Sequence, residues 1–104
     1  MDLEYEIELM RLLCRLAVVD GAAVPTEVNM IVRRARYHRI PEDLIAAQLA
    51  AMESGGDLPA PDIAILRTDI PLTRSNARNL LAIDGVLHDS EVLAFQRLDL
   101  ALST

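Results

Sequence analysis

Apolar positions along the chain recur at helical spacing, and no segment alternates apolar and polar residues with the β-branched enrichment of a strand. The first run predicts a helix from about Leu3 to Val19. Its polar positions Glu4, Glu8, Arg11 and Arg15 make one narrow stripe, with Glu ahead of Arg as the helix dipole favours. Everything else from Ile7 to Val19 is apolar. A helix of this kind needs cover on most sides, so it is either the central helix of a bundle or half of a homodimer interface. Asp20-Gly21 ends it. A second helix begins near Pro25, buries Val28, Ile31, Val32 and Ala35, and closes in the basic run Arg33-Arg34-Ala35-Arg36-Tyr37-His38-Arg39. Ile40-Pro41 breaks the chain, and Pro41-Glu42-Asp43 opens a third helix that continues to about Glu53. Ser54 to Pro61 is a loop within the fold. A short helix from about Asp62 to Thr68 is expected to stop at Ile70-Pro71, a fifth to run from Thr73 to Ile83, and a sixth from Asp89 to Leu102. The expected fold is all-α, a compact bundle of about six helices joined by short turns, forming one domain over residues 1–104.

Composition sharpens this picture in three ways. Hydrophobic residues make up 52% of the chain, yet only two Tyr and one Phe are aromatic, so the core is aliphatic. Ten basic residues, all Arg, stand against sixteen acidic ones for a net charge of −6. That balance disfavours nucleic acid and anionic membrane surfaces as partners. No apolar stretch reaches the roughly 18 residues of a bilayer span, because Arg11 and Arg15 interrupt the best candidate. The single cysteine, Cys14, fits a reducing compartment and its apolar flanks predict a buried, inert thiol; the acidic opening Asp2-Leu3-Glu4 is unlike a secretory signal. A cytoplasmic location is the expectation.

An internal repeat carries the most functional information. At an offset of 64, Leu16-Ala17-Val18-Val19-Asp20-Gly21 lies over Leu80-Leu81-Ala82-Ile83-Asp84-Gly85, Glu27-Val28 over Glu91-Val92, and Arg33 over Arg97. Two helix-turn-helix units around a shared core would produce this pattern. Capping chemistry accounts for it without a ligand: Gly after a helix end takes the left-handed conformation, and Glu27 and Glu91 fall in the first turn of the next helix, where a carboxylate reaches free amides. The ligand-binding alternative uses Asp20, Glu27, Asp84 and Glu91 together to hold a divalent cation such as Ca²⁺, Mg²⁺, Mn²⁺ or Zn²⁺. Asp-Gly-x5-Glu matches the second half of an EF-hand loop, but the first half would need ligands at Leu16 and Val18, or at Leu80 and Ala82, and has none.

The two motifs, Val18-Val19-Asp20-Gly21-Ala22-Ala23-Val24-Pro25-Thr26-Glu27 and Leu80-Leu81-Ala82-Ile83-Asp84-Gly85-Val86-Leu87-His88-Asp89-Ser90-Glu91, in an acidic helical chain of this size, resemble the TerB-like domains associated with tellurite resistance. The resemblance covers nearly the whole chain. It implies a helical bundle without enzymatic activity that serves stress-response assemblies through protein partners, with metal binding as a further property.

Arg33, Arg36 and Arg39 are the candidate partner-binding residues, since they belong to the one basic cluster and an acidic protein surface would suit them. Arg at a helix C-terminus also opposes the negative dipole end, and no stacking-aromatic pattern accompanies the run apart from Tyr37. His38 and His88 lack a second His or Cys at ligand spacing, which points to solvated or capping roles. Asp89-Ser90 is similar to the phosphopantetheine site of acyl carrier proteins, but Glu91 follows where those carry Leu, and Ser90 has a first-turn role of its own. No phosphate loop, nucleophile elbow or zinc motif occurs, so the sequence predicts a binding protein and not an enzyme.

Overall fold

A computed structural model describes residues 2–19, 23–55, 58–83 and 89–103. Every regular element among them is helical: α1 (Leu3–Ala17), α2 (Pro25–Tyr37), α3 (Glu42–Ser54), the single turn α4 (Ile63–Leu66), a 3-10 turn (Arg67–Asp69), α5 (Ile70–Leu81) and α6 (Asp89–Ser103). The Cα radius of gyration is 12.6 Å, near the roughly 13 Å of a compact chain of about this length.

The apolar α1 is the centre of the packing. It touches α2, α3, α4 and α5, so its cover comes from within one chain. Leu9, Leu13, Cys14 and Ala17 are essentially inaccessible, and they join Ile31 and Ala35 of α2, Ile45 of α3, Leu66 of α4, Ala77, Leu80 and Leu81 of α5, and Leu98 and Leu102 of α6 in one core cluster. Tyr5 seats the start of α5 on the start of α1. Its hydroxyl lies 2.6 Å from Thr73 Oγ1 and donates to the Asp69 carbonyl. Arg67 donates to the Ala101 carbonyl, Arg74 to Asp99, and the Arg78 guanidinium stands over the Phe95 ring, which ties α6 to the α4–α5 segment.

Two expectations need correction. Pro71 does not stop a helix; α4 passes through the 3-10 turn into α5, which starts at Ile70 and not at Thr73. Pro lacks only an amide that the first turn leaves unpaired anyway, and Asp69 caps the end by accepting the Leu72 N–H at 3.1 Å. Glu8 does not lie on a solvated stripe: it is buried, with its carboxylate held by Arg11 at 2.8 Å and by the Asp62 N–H at 2.9 Å. The end of α2 also departs from the usual pattern. Arg39 takes the left-handed conformation (φ 60°), while the Arg39 and Ile40 amides return to the Arg36 and Ala35 carbonyls, a Schellman motif without its usual glycine.

Candidate functional site

Of the four acidic residues of the two Asp-Gly-x5-Glu motifs, Asp20 and Asp84 lie outside the described residues, as does the side chain of Glu91. Glu27 is buried in the first turn of α2, and its Oε1 accepts the Val24 backbone N–H at 3.2 Å. That is the bond expected of a first-turn carboxylate reaching back to the helix start. Among the described residues no group of three or more His, Cys, Asp and Glu side chains is placed to hold a metal ion.

The three candidate arginines have different surroundings. Arg36 is exposed and pairs with Glu42 of α3 at 3.0 Å. Arg39 is exposed in the left-handed turn just after α2. Arg33 is exposed and lines an open groove of about 770 Å³ between α2 and α5. Among the described residues it forms no ion pair or hydrogen bond.

At the floor of the groove Arg34 of α2 and His38, the residue just past the end of α2, meet the buried Glu6 of α1. Glu6, only 3% exposed, accepts two bonds from Arg34 Nη2 at 2.9 and 3.2 Å. His38 Nε2 stands 3.5 Å from the same carboxylate. An apolar face would bury Glu6 at great cost, but the guanidinium satisfies both oxygens. His38 is the C-cap residue of α2, as a capping role requires, and its half-buried ring also faces this carboxylate. Burial pushes its imidazole below the ordinary His value, an effect that Glu6 opposes and Arg34 reinforces. Neither partner was readable from spacing, since Glu6 and Arg34 are 28 residues apart.

Polar and apolar groups share the groove walls. Asn29 and Thr26 continue the α2 side, Asn76 lies opposite on α5 with its amide given to the Leu72 carbonyl, and Met30 and Ile83 supply apolar surface. Tyr37 stands on the rim, 82% exposed, edge-on to His38 with ring centroids 5.0 Å apart. The arrangement can bind and neutralise a negative group at Arg33 while holding apolar atoms beside it. Helical spacing already sets Tyr37 one turn from Arg33 on α2; Asn76 was not legible as a neighbour, because it comes from α5.

Two other features bear on reactivity and membranes. Cys14 is buried in the core, and burial pushes its thiol up to about 12. Among the described residues no helix is long and apolar enough to cross a membrane. Comparison with protein families, with curated proteins and with solved structures finds no match for this chain.

Proposed function

We propose that the chain is a non-catalytic interaction module of TerB-like type, binding protein partners in a stress-response assembly of the tellurite-resistance kind. The observation that carries this reading is the outer face of α2, where Arg33 engages no described partner and Tyr37 is 82% exposed. Arg and Tyr contribute disproportionately at protein interfaces, because each offers a large contact area with a directed polar end.

The helix boundaries support the repeat that underlies the resemblance. α1 ends at Ala17 and α5 at Leu81, and α2 begins at Pro25 and α6 at Asp89, all at the offset of 64 that separates the two Asp-Gly turns. The helices of each pair pack together, α1 on α2 and α5 on α6. Leu9, Leu13 and Leu16 are buried in the first pair, and Thr73, Ala77 and Leu80 are buried at the same offset in the second. On this reading two copies of a helix-turn-helix unit share the core, and the α2 copy presents Arg33, Arg36 and Arg39 to a partner.

A photo-crosslinking residue placed in turn at Tyr37, Leu93 and Leu100, all exposed, tests the reading in native-host cells under tellurite stress. A discrete protein adduct at one or more positions is expected; no adduct at any of them would overturn it. The same module is expected to be indifferent to divalent cations. Chelated protein should melt at the same temperature with and without millimolar Ca²⁺, Mg²⁺, Mn²⁺ or Zn²⁺. A raised midpoint, which mass action requires of any native-state ligand, would favour the cation-binding alternative, with Asp20, Glu27, Asp84 and Glu91 as its candidate ligands.

A further inference from the structure

We infer that the groove between α2 and α5 docks an acidic peptide segment of a protein partner, with a carboxylate on Arg33 and an adjacent aliphatic side chain against Met30 and Ile83. The inference rests on the interaction-module reading and specifies the partner's chemistry.

Charge is its first ground. The chain carries a net −6, yet the described lining of this groove contains Arg33 and Arg34 and no Asp or Glu. Glu6 offsets Arg34 from below. Arg33 is left as the charge the groove presents. The net charge disfavours an acidic segment over much of the surface, and this groove favours it by setting Arg33 beside the exposed Tyr37 ring.

Shape is the second ground. Thr26, Met30, Arg33 and Tyr37 follow one another along α2 at spacings that keep them on one helix face, and all four line the groove. That stripe is roughly 16 Å long at about 1.5 Å per residue. An extended segment of about five residues spans the same distance. A lone inorganic anion would use Arg33 and leave Met30, Ile83 and the exposed Tyr37 ring without contacts. A peptide with alternating acidic and aliphatic side chains uses all of them, and Asn29 and Thr26 offer polar groups to its backbone.

The test pans a random-peptide library displayed on phage against the full chain and against its Arg33→Glu and Arg97→Glu variants. Arg97 is exposed on α6 and lies outside the groove. The full chain and Arg97→Glu should enrich sequences with Asp or Glu beside an aliphatic residue. Arg33→Glu should lose that enrichment and bind the selected peptides at least about tenfold more weakly by fluorescence anisotropy, as expected when a contacting charge is reversed. Asn29→Asp, which adds a negative charge to the same wall, should weaken them too. Absence of enrichment, enrichment of basic peptides, or equal binding by Arg33→Glu would each overturn the inference. So would concentration-dependent dimerisation of the full chain that Arg33→Glu abolishes, because the groove would then belong to a second copy. Crosslinks at Leu93 or Leu100 without peptide binding at the groove would leave the module standing and remove the groove as its docking site.

Discussion

Glu6 and His38 are 32 positions apart by number, and each sets the other's surroundings. The half-buried imidazole stands against a carboxylate that Arg34 already engages, so a proton arriving on His38 enters a partly desolvated site next to a second cation. The direction of the resulting pH dependence is fixed. His38 is held below the ordinary value near 6.5 when folded, so the unfolded chain takes up its proton first as pH falls. Stability is complete above about pH 6.5 and declines as the pH drops from there through the folded value. Urea unfolding from about pH 7.5 to about pH 5 should show this decline. His38→Gln should flatten the part of it that the imidazole supplies, and an unchanged profile would mean that other groups cause it. Cys14 gives a second prediction. A thiol held at about 12 by burial is not a nucleophile in the folded chain. Its modification by a thiol reagent should proceed only as fast as the chain opens, and rapid labelling in native buffer would contradict the packing of α1. The inertness of Cys14 was legible from its flanks Leu12, Leu13 and Leu16. The burial of Glu6 and Glu8 was not, because their partners, Arg34 and the Asp62 amide, come from distant parts of the chain.

At the level of elements, the long helices were legible because their apolar positions keep helical spacing, and α2 and α6 begin where Pro25 and Asp89 suggested. Errors gathered at the termini. Pro71 suggests a barrier, but at the second position of α5 it removes no intrahelical bond, and Asp69 supplies the cap. Asp69→Ala should cost about 1 kcal/mol in urea denaturation, the usual loss for a carboxylate N-cap. No effect would mean that the Asp69 backbone carbonyl, which also accepts from Tyr5 and Thr73, anchors this turn by itself. At the end of α2 the conventional glycine signal is missing because Arg39 occupies the left-handed position. A side chain with a Cβ is strained there, so Arg39→Gly should raise stability by about 1 kcal/mol while leaving the Ile40 N–H on the Ala35 carbonyl. A loss of stability would instead give the Arg39 side chain a structural partner.

Across the whole molecule, stability is concentrated where α1 meets everything else. Leu13 is among the largest fully buried side chains, on the one helix that touches α2, α3, α4 and α5. Leu13→Ala should cost about 2–5 kcal/mol, a large part of the roughly 5–15 kcal/mol that natural domains have in total. A loss below about 1 kcal/mol would mean that the cavity collapses without strain. The central place of α1 was visible in its near-continuous apolar composition. The groove was invisible for the complementary reason: Asn76 comes to face Arg33 and Tyr37 only once α5 has packed on α1, through contacts such as Tyr5 to Thr73 that no local pattern encodes.

That central position has a consequence for biosynthesis. α1 is complete at Ala17, whereas the last residue of α5 is Leu81. At translation rates of about 5–20 residues per second, a nascent chain carries α1 for several seconds before α5 exists to cover it. During that interval only α2, α3 and α4 can shield its leucines, and the ribosome-bound chain presents a sticky surface to chaperones. A fragment ending at Ser54 should therefore bind a hydrophobic dye that the full chain does not, and a dark fragment would mean that α2 and α3 alone suffice to cover α1.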